Sequence, residues 1–596
     1  MGPNGKGRHG MARKVLAGLM VLAGLAMTPG AVLAQQEAAT DLGTDLVTDP
    51  GPESGADLGA YLAARAAGIA GDFDAAATYF TRTIADDPDN PMLLDNAMAA
   101  WLGLDAFDRA LELAQRIQAG GFDSQIAGLV LATDAARRGD WDGLTAGLDA
   151  GQLTYPLIDA LARAWAQVGR GDMDRALAAF DTVIATRGMV SFGLYHKALA
   201  LAFVGDFEAA DAILSLPPDR GMQATRRAII AHVQVLSQLG RNDDAVGLID
   251  TTFPGTSDPT LRALRDRLAA GDALPWTLVG SAADGLAEVF YTIARTIGDE
   301  ADPASILFYA RAARILNPDL WEAQLLAGQM LDRLGQYDLA NAAYAAVPPD
   351  DASFVIAEVG RAEALNRAGQ ADVAIEVLTA LLRDHADMPG VLVSLADILR
   401  RTGRHDQAAP LYAQAIALYP AGDRALAYLH FVHGITFTHL DNWPAAEAAL
   451  RASLAINPDQ AGVLNYLGYS LVERGERLDE ALTMIEAAVQ TDPQNGAIVD
   501  SLGWALFRLG RAADAVPHME QAAALLPTDP VINDHLGDVY WTVGRTREAA
   551  FQWRRALSFA PDEDEATRIR RKLDIGLDAV LAEEAATPPQ VAGSDG

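Results

Sequence analysis

Residues 501–530 have the sequence SLGWALFRLGRAADAVPHMEQAAALLPTDP, and the spacing of their small residues and proline decides the fold. Gly503, Ala515 and Pro527 are evenly spaced, so that Ala515 lies midway between the other two. The same separations recur in the next segment, at Gly537, Ala549 and Pro561. The quoted stretch is therefore one copy of a repeated unit.

Alanine marks this repeat along most of the chain. In the C-terminal half it recurs about every 34 residues, the length of one helical hairpin in a common repeat class, at Ala340, Ala374, Ala408, Ala446, Ala481, Ala515 and Ala549. Earlier copies have Ala76, Ala110, Ala176, Ala210 and Ala245. A glycine stands five residues before nine of these alanines, where it can end a helix in the left-handed conformation. We therefore expect pairs of antiparallel helices in which small residues allow a close crossing and proline stops the second helix.

The period and the order of small residue, small residue and proline resemble the tetratricopeptide repeat. The resemblance extends over roughly residues 58–580 and is strongest from Pro303 to Pro561. It implies an all-α fold, a right-handed superhelical solenoid of about 13–14 helical hairpins.

Breaks in the repeat predict the domain organisation. The separation between Ala245 and the next equivalent position, Ile306, fits neither one period nor two. The predicted parts are a signal peptide (1–34), an acidic disordered linker (35–57), an irregular N-terminal array (58–250), a junction (251–285), a regular C-terminal array (286–564), a capping helix (565–582) and a disordered tail (583–596).

The N-terminus has the layout of a secretory signal. Arg13 and Lys14 precede an apolar run at 15–27, and small residues at 31–34 offer a cleavage site. This layout predicts export to the periplasm by a Sec-type signal, with any association with the outer membrane made only through partners. Met1 and Met11 both remain candidate starts.

Charge and cysteine content limit the choice of partners. The 596-residue chain has a formal net charge of −33 and contains no cysteine. We expect no nucleic-acid partner, because binding to phosphates depends on clusters of Lys and Arg. Without cysteine, the chain is expected to have no disulfide, no cysteine-ligated zinc and no lipid anchor.

No known catalytic or cofactor-binding motif occurs in the sequence. The strongest candidate for a metal site is YLHFVHGITFTHL (428–440), in which His430 and His433 could share a helix face. No acidic third ligand is suitably placed, so packed or solvated histidines are the favoured interpretation. We therefore predict a protein that is not an enzyme, with no metal and no cofactor.

The resemblance also implies a binding surface. In tetratricopeptide hairpins the concave face is lined by residues three before, and one, four and five after, the small residue of the first helix. Applied to the last three strong repeats, this rule also reaches Val472, Glu473 and Thr542. The predicted partner-binding residues are Asn465, Tyr469, Asp500, Trp504, Phe507, Arg508, Asp534, Asp538 and Trp541. Aromatic residues and arginine are the types that anchor interfaces. The alternative is that these aromatic rings pack between repeats or under the tail helix 565–582.

The order of segments along the chain and two short sequences within it suggest a more specific role. NYLGYSLVERGERLDEAL (465–482) followed by DSLGWALFRLG (500–510), after a signal and a long irregular array, resembles bacterial envelope tetratricopeptide adaptors of C-terminal-processing proteases. The resemblance implies a non-catalytic scaffold that binds proteins, including such a protease and its clients.

Three alternatives stay open at this point. The first is an envelope scaffold for polysaccharide export or outer-membrane assembly. The second is a self-assembling structural protein, which the negative charge disfavours through repulsion. The third is an enzymatic or metal-binding protein built around His430 and His433.

Overall fold

The computed structural model describes residues 58–153, 155–253, 258–298 and 301–586. These residues form 31 α-helices and one short 3₁₀ turn, Pro218–Arg220, and they contain no β-strand. The all-α fold predicted from the repeat is therefore confirmed. None of the helices in these ranges is long and apolar enough to span a bilayer. The predicted signal peptide (1–34), the linker (35–57) and residues 587–596 of the predicted tail lie outside the described residues.

The chain divides into two compact units. Of the described residues, 58–394 belong to the N-terminal unit and 395–586 to the C-terminal unit. The boundary lies inside helix α20 (Pro389–Arg401), rather than in the predicted junction at 251–285. That predicted junction also contains a helix of its own, α13 (Pro259–Ala269).

The helices of the N-terminal unit are α1 (Leu58–Ile69), α2 (Phe73–Asp86), α3 (Pro91–Gly103), α4 (Phe107–Ala119), α5 (Gln125–Arg137), α6 (Trp141–Asp149), α7 (Pro156–Gly169), α8 (Met173–Ala185), α9 (Val190–Phe203), α10 (Phe207–Leu214), α11 (Arg226–Gln238), α12 (Asn242–Thr252), α13, α14 (Ala282–Ile297), α15 (Pro303–Leu316), α16 (Trp321–Arg333), α17 (Tyr337–Ala345), α18 (Phe354–Arg367) and α19 (Ala371–Asp384). The C-terminal unit continues with α21 (His405–Leu418), α22 (Ala425–His439), α23 (Trp443–Ile456), α24 (Ala461–Arg474), α25 (Leu478–Thr491), α26 (Gly496–Arg508), α27 (Ala512–Leu525), α28 (Pro530–Thr542), α29 (Thr546–Ser558), α30 (Glu563–Ile575) and α31 (Leu577–Ala586).

The sequence landmarks take the positions that the repeat predicts. Gly510 has a φ of +76°, so it ends helix α26 in a conformation that favours glycine. Ala515 on α27 is fully buried at the crossing with α26. A Cβ added to Gly503 would lie 2.8 Å from the side chain of Met519, so a small residue is required there. The quoted stretch is one antiparallel hairpin, α26–α27, within a row of similar hairpins.

In the N-terminal unit, a later segment of the chain packs against the first helices of earlier hairpins. Helix α14 contacts α5, α7 and α9, and helix α15 contacts α3 and α5. The approach is close, because a Cβ on Gly285 of α14 would lie 2.2 Å from the buried ring of Trp165. The hairpin α14–α15 therefore packs over the first helices of four earlier hairpins, α3, α5, α7 and α9.

Charged residues accompany this apolar packing. The carboxylate of Glu288 is fully buried and forms an ion pair with Arg227, and it accepts a hydrogen bond from the Tyr195 hydroxyl at 3.2 Å. Arg311 on α15 is buried and pairs with Asp105 at 2.9 Å. These pairs link the hairpin α14–α15 to helices far earlier in the chain, and buried charges of this kind are tolerated only when paired.

Candidate functional site

Helices α24, α26 and α28 are the first helices of three successive hairpins, and they carry all nine of the predicted partner-binding residues. On α24, both Asn465 and Tyr469 are buried. Burial raises the pKa of Tyr469 well above its usual value, because a phenolate would be poorly solvated there. The Oδ1 atom of Asn465 has no hydrogen-bond partner among the residues that the structure describes.

On α26, the indole of Trp504 lies in a stack of rings. Its centroid is 3.9 Å from that of His535 and 5.0 Å from that of Phe507. The indole Nε1 of Trp504 donates a hydrogen bond to Glu473 Oε1 at 2.8 Å, and Arg508 Nη1 donates to the same oxygen at 2.9 Å. Trp504, Phe507 and Arg508 are all partly exposed. We call these three residues the Trp504 cluster.

A buried ionic pair lies beneath this cluster. His535 Nδ1 is 3.0 Å from Asp500 Oδ2, and both residues are buried. Burial lowers the pKa of His535, but the charge and the hydrogen bond of Asp500 outweigh it and raise the pKa above its usual value. Asp500 therefore favours the protonated form of His535, whose ring lies against the face of Trp504.

On α28, two carboxylates bind one lysine from helix α30. Lys572 Nζ lies 2.7 Å from Asp534 Oδ2 and 2.7 Å from both carboxylate oxygens of Asp538. Only 1% of Lys572 is exposed. Asp538 also accepts a hydrogen bond from Trp553 Nε1 at 2.9 Å. We call Asp534 and Asp538 the aspartate pair.

The segment after α29 also covers Trp541. Its Nε1 donates to Asp578 Oδ2 at 3.2 Å. Gly576, between α30 and α31, has a φ of +83°, and a Cβ there would lie 2.6 Å from the indole ring. The predicted capping helix (565–582) is thus two helices, α30 and α31, which break at Gly576.

The predicted surface is only partly open. The structure buries Asn465, Tyr469, Asp500 and Asp538, so these four side chains do not lie on the surface. The other five residues, Trp504, Phe507, Arg508, Asp534 and Trp541, keep partial exposure. The rule reaches Glu473, five residues after Gly468, and the contacting side chains that it missed are His535 and Lys572. One signal for Lys572 was available: Arg568 and Lys572 are four residues apart, as are Asp534 and Asp538, so each pair lies on one helix face.

The histidine-rich helix α22 has the features of packing. His433 is buried, and its ring lies 4.3 Å from that of Phe437. Burial lowers the pKa of His433 to about 4, which favours the neutral ring. Within the ranges that the structure describes, no group of three His, Cys, Asp or Glu residues is arranged to hold a metal ion.

The family comparison identifies the repeated hairpins. Residues 359–423, 434–496 and 467–530 match the family model of the tetratricopeptide repeat. These segments are similar to tetratricopeptide repeats. Such repeats generally serve as non-catalytic modules that bind other proteins along the concave face of the array.

Two relatives match only short parts of the chain. A tetratricopeptide repeat-containing protein of Pseudomonas aeruginosa is 41% identical over 92 residues, 15% of this chain and 15% of that protein. Cell division cycle protein 27 homolog A of Arabidopsis thaliana is 29% identical over 131 residues, 22% of this chain and 18% of that protein. The matches thus span less than a fifth of either relative's length.

Solved tetratricopeptide structures resemble the chain at a low level. The APC/C hetero-tetramer Cut9–Hcn1 is 14% identical, covers 87% of this chain and 96% of its own, and gives a TM-score of 0.37. A tetratricopeptide repeat protein from Parabacteroides merdae is 15% identical, covers 43% of this chain and 98% of its own, and gives 0.35. Scores of this size carry no argument about function.

Proposed function

We propose that this chain is a non-catalytic scaffold that binds proteins in the bacterial cell envelope through its C-terminal repeats. The observation that carries the proposal is the Trp504 cluster, which combines two aromatic rings and an arginine at a partly exposed position. These residue types supply most of the energy of protein interfaces. Glu473 orients both Trp504 and Arg508 before any partner arrives, which reduces the entropy lost on binding.

The specific role is that of an adaptor. The resemblance of residues 465–482 and 500–510 to envelope adaptors supports a C-terminal-processing protease as one partner and its substrates as others. In this arrangement one part of the chain holds the protease, and another presents the client. The apolar run at 15–27 and the small residues at 31–34 support export to the periplasm.

Affinity capture with a matched variant tests the scaffold. The full chain and a Trp504→Ala/Phe507→Ala variant are used as baits in envelope extract, and each captured protein is then purified and its Kd measured. Loss of two central aromatic anchors weakens binding by about 2 kcal/mol or more, which is roughly thirtyfold. The near-ultraviolet and far-ultraviolet circular dichroism of both baits establishes that the variant is folded.

Phe551→Ala is the control for this capture. Phe551 is 62% exposed and lies on α29, the second helix of its hairpin. It is not one of the nine predicted partner-binding residues. The control is expected to bind like the wild type. Equal affinity of all three baits for every captured protein would contradict the assignment of the Trp504 cluster as the docking site.

The location has a test of its own. We expect the mature protein in the periplasmic fraction of the producing bacterium to begin at Gln35, after cleavage following Ala34. N-terminal sequencing and intact mass of the protein from each cell fraction measure this directly. A chain that begins at Met1 or Met11 and remains in the cytosolic fraction would contradict export.

A further inference from the structure

The C-terminal segment α30–α31 lies against α28, on the row of first helices, in the position of a ligand. The contacts of Lys572 with Asp538 and of Gly576 with Trp541 tie it to α28.

The contact is complementary in charge and spacing. Arg568 and Lys572 are one helical turn apart on α30, and the aspartate pair is one turn apart on α28. Lys572 touches both carboxylates, while Arg568 Nη1 lies 3.9 Å from Asp534 and 3.8 Å from Asp538. The aspartate pair is therefore a built pocket for a lysine ammonium with a second cation beside it.

The covering helices of the two units differ in how they are held. In the N-terminal unit, α14 buries ten residues and α15 buries eight, most of them apolar. In the C-terminal unit, α30 buries only Ala566, Ile569 and Lys572, and α31 adds Leu577 and Val580. Apolar burial is what makes such packing persistent. A segment with this smaller apolar interface dissociates more readily, and salt screens the partly exposed ion pair of Arg568 with Asp534 more than the buried pairs of Lys572.

We propose that α30–α31 is a displaceable internal ligand, and that the aspartate pair and Trp541 bind a basic helix of a partner protein in its place. The partner helix carries two cations four residues apart, as α30 does, with apolar residues that meet Trp541. The strongly negative chain attracts such a segment over a distance. This inference deepens the proposed function by naming the chemistry of the partner, and it rests on that function for its biological meaning.

A peptide added in trans tests the proposal. The probe is a fluorescent peptide of residues 561–586, and the proteins are the full chain and an Arg568→Ala/Lys572→Ala variant that weakens the internal contact. We expect the variant to bind the peptide at least tenfold more tightly than the wild type, since its pocket is open. Adding Asp534→Asn and Asp538→Asn to the variant should abolish that gain.

Two further peptides distinguish specific binding at the aspartate pair from nonspecific binding. The same peptide with Arg568→Ala and Lys572→Ala should not bind, whereas an unrelated helical peptide with Arg and Lys four residues apart should bind the open variant. Equal binding of both 561–586 peptides, or no gain in the open variant, would overturn the proposal. A variant that elutes as a dimer would show that the ligand is a second copy of this chain, which also overturns it.

Hydrogen–deuterium exchange on the unaltered chain avoids any risk of misfolding. Amides in 563–586 should exchange faster than those in 282–316, and about 1 M salt should accelerate only the former. Equal protection of both segments in high salt would contradict displacement. Because these measurements use no envelope partner, they can fail while capture by the Trp504 cluster succeeds, and the reverse also holds.

Discussion

At the scale of single residues, glycine and alanine set the distance between the helices of each hairpin. A Cβ on Gly537 would lie 2.4 Å from the indole of Trp553, which is itself buried. Such a contact forces side chains or backbone to move. The close crossing of the two helices therefore depends on the absence of a Cβ at Gly537 as well as on the packing of Trp553.

Gly537→Ala should destabilise the C-terminal unit by about 1–3 kcal/mol through overpacking. Thermal unfolding of the full chain, followed by calorimetry, measures the shift. Gly462→Ala on α24 is the control, because a Cβ there meets nothing within 4 Å and alanine favours a helix over glycine. A larger loss for Gly462→Ala than for Gly537→Ala would contradict this account of the crossing.

The ion pair of His535 and Asp500 should make stability depend on pH. Because the pKa of His535 is raised in the folded state, the pair contributes fully below the ordinary value of 6.5 and loses its contribution as the pH rises through the raised value. Asp500→Asn should therefore destabilise by about 2 kcal/mol near pH 5.5 and by clearly less near pH 9.

Calorimetry of the full chain at both pH values checks this pH effect. Asp514→Asn serves as the comparison, since Asp514 pairs with Arg511 at an exposed position. A loss for Asp500→Asn that is the same at both pH values would mean that His535 does not carry the proton.

At the scale of elements, both units place helices over rows of first helices, but with different chemistry. The hairpin α14–α15 carries an apolar core with the buried carboxylate of Glu288 inside it. The segment α30–α31 is held by the aspartate pair and by a smaller apolar interface that includes Ile569 and Leu577. The first is part of the core of its unit, and in the second Arg568 and Asp534 stay partly exposed to water and salt.

Glu288→Ala should destabilise the N-terminal unit by about 3–5 kcal/mol, because it leaves the buried Arg227 with Glu322 as its remaining carboxylate. Thermal unfolding of the full chain measures the decrease in the transition temperature of this unit. Glu112→Ala, which removes an exposed pair with Arg109, should change stability by about 0–1 kcal/mol. Equal effects of the two substitutions would show that Glu288 is not a structural ion.

At the scale of the whole molecule, the formal charge of −33 opposes the compact state through self-repulsion. Salt screens this repulsion over a distance of about 10 Å at 0.1 M. The same screening weakens the partly exposed contact of Arg568 with Asp534. Salt should therefore act in opposite directions on the chain as a whole and on α30.

Raising sodium chloride from about 20 mM to about 200 mM should raise the Tm of the full chain while lowering the amide protection of 563–586. Calorimetry and hydrogen–deuterium exchange on one preparation measure both effects. An unchanged Tm would indicate that the negative charges are already neutralised by their partners. Stronger protection of 563–586 in salt would show that α30 is held by apolar burial.

Much of the fold was predictable from sequence because the contacts within a hairpin join residues near one another in the chain. Gly503, Gly510 and Ala515 mark the end of one helix and the crossing with the next, and they lie where the period placed them. The histidines of 428–440 were interpreted as packed or solvated because no acidic third ligand is suitably placed, and His433 is buried beside Phe437. Local geometry sufficed for these predictions.

The candidate site was less predictable, since its exposure depends on segments far away in the chain. The sequence by itself determined the repeated hairpins, through a small-residue and proline pattern that acts within about 34 residues. Only the tertiary structure decided that Lys572 closes over Asp538 and that α14–α15 covers the earlier first helices. The physical reason is that these contacts join nonperiodic segments, so no spacing along the chain encodes which residues they bury.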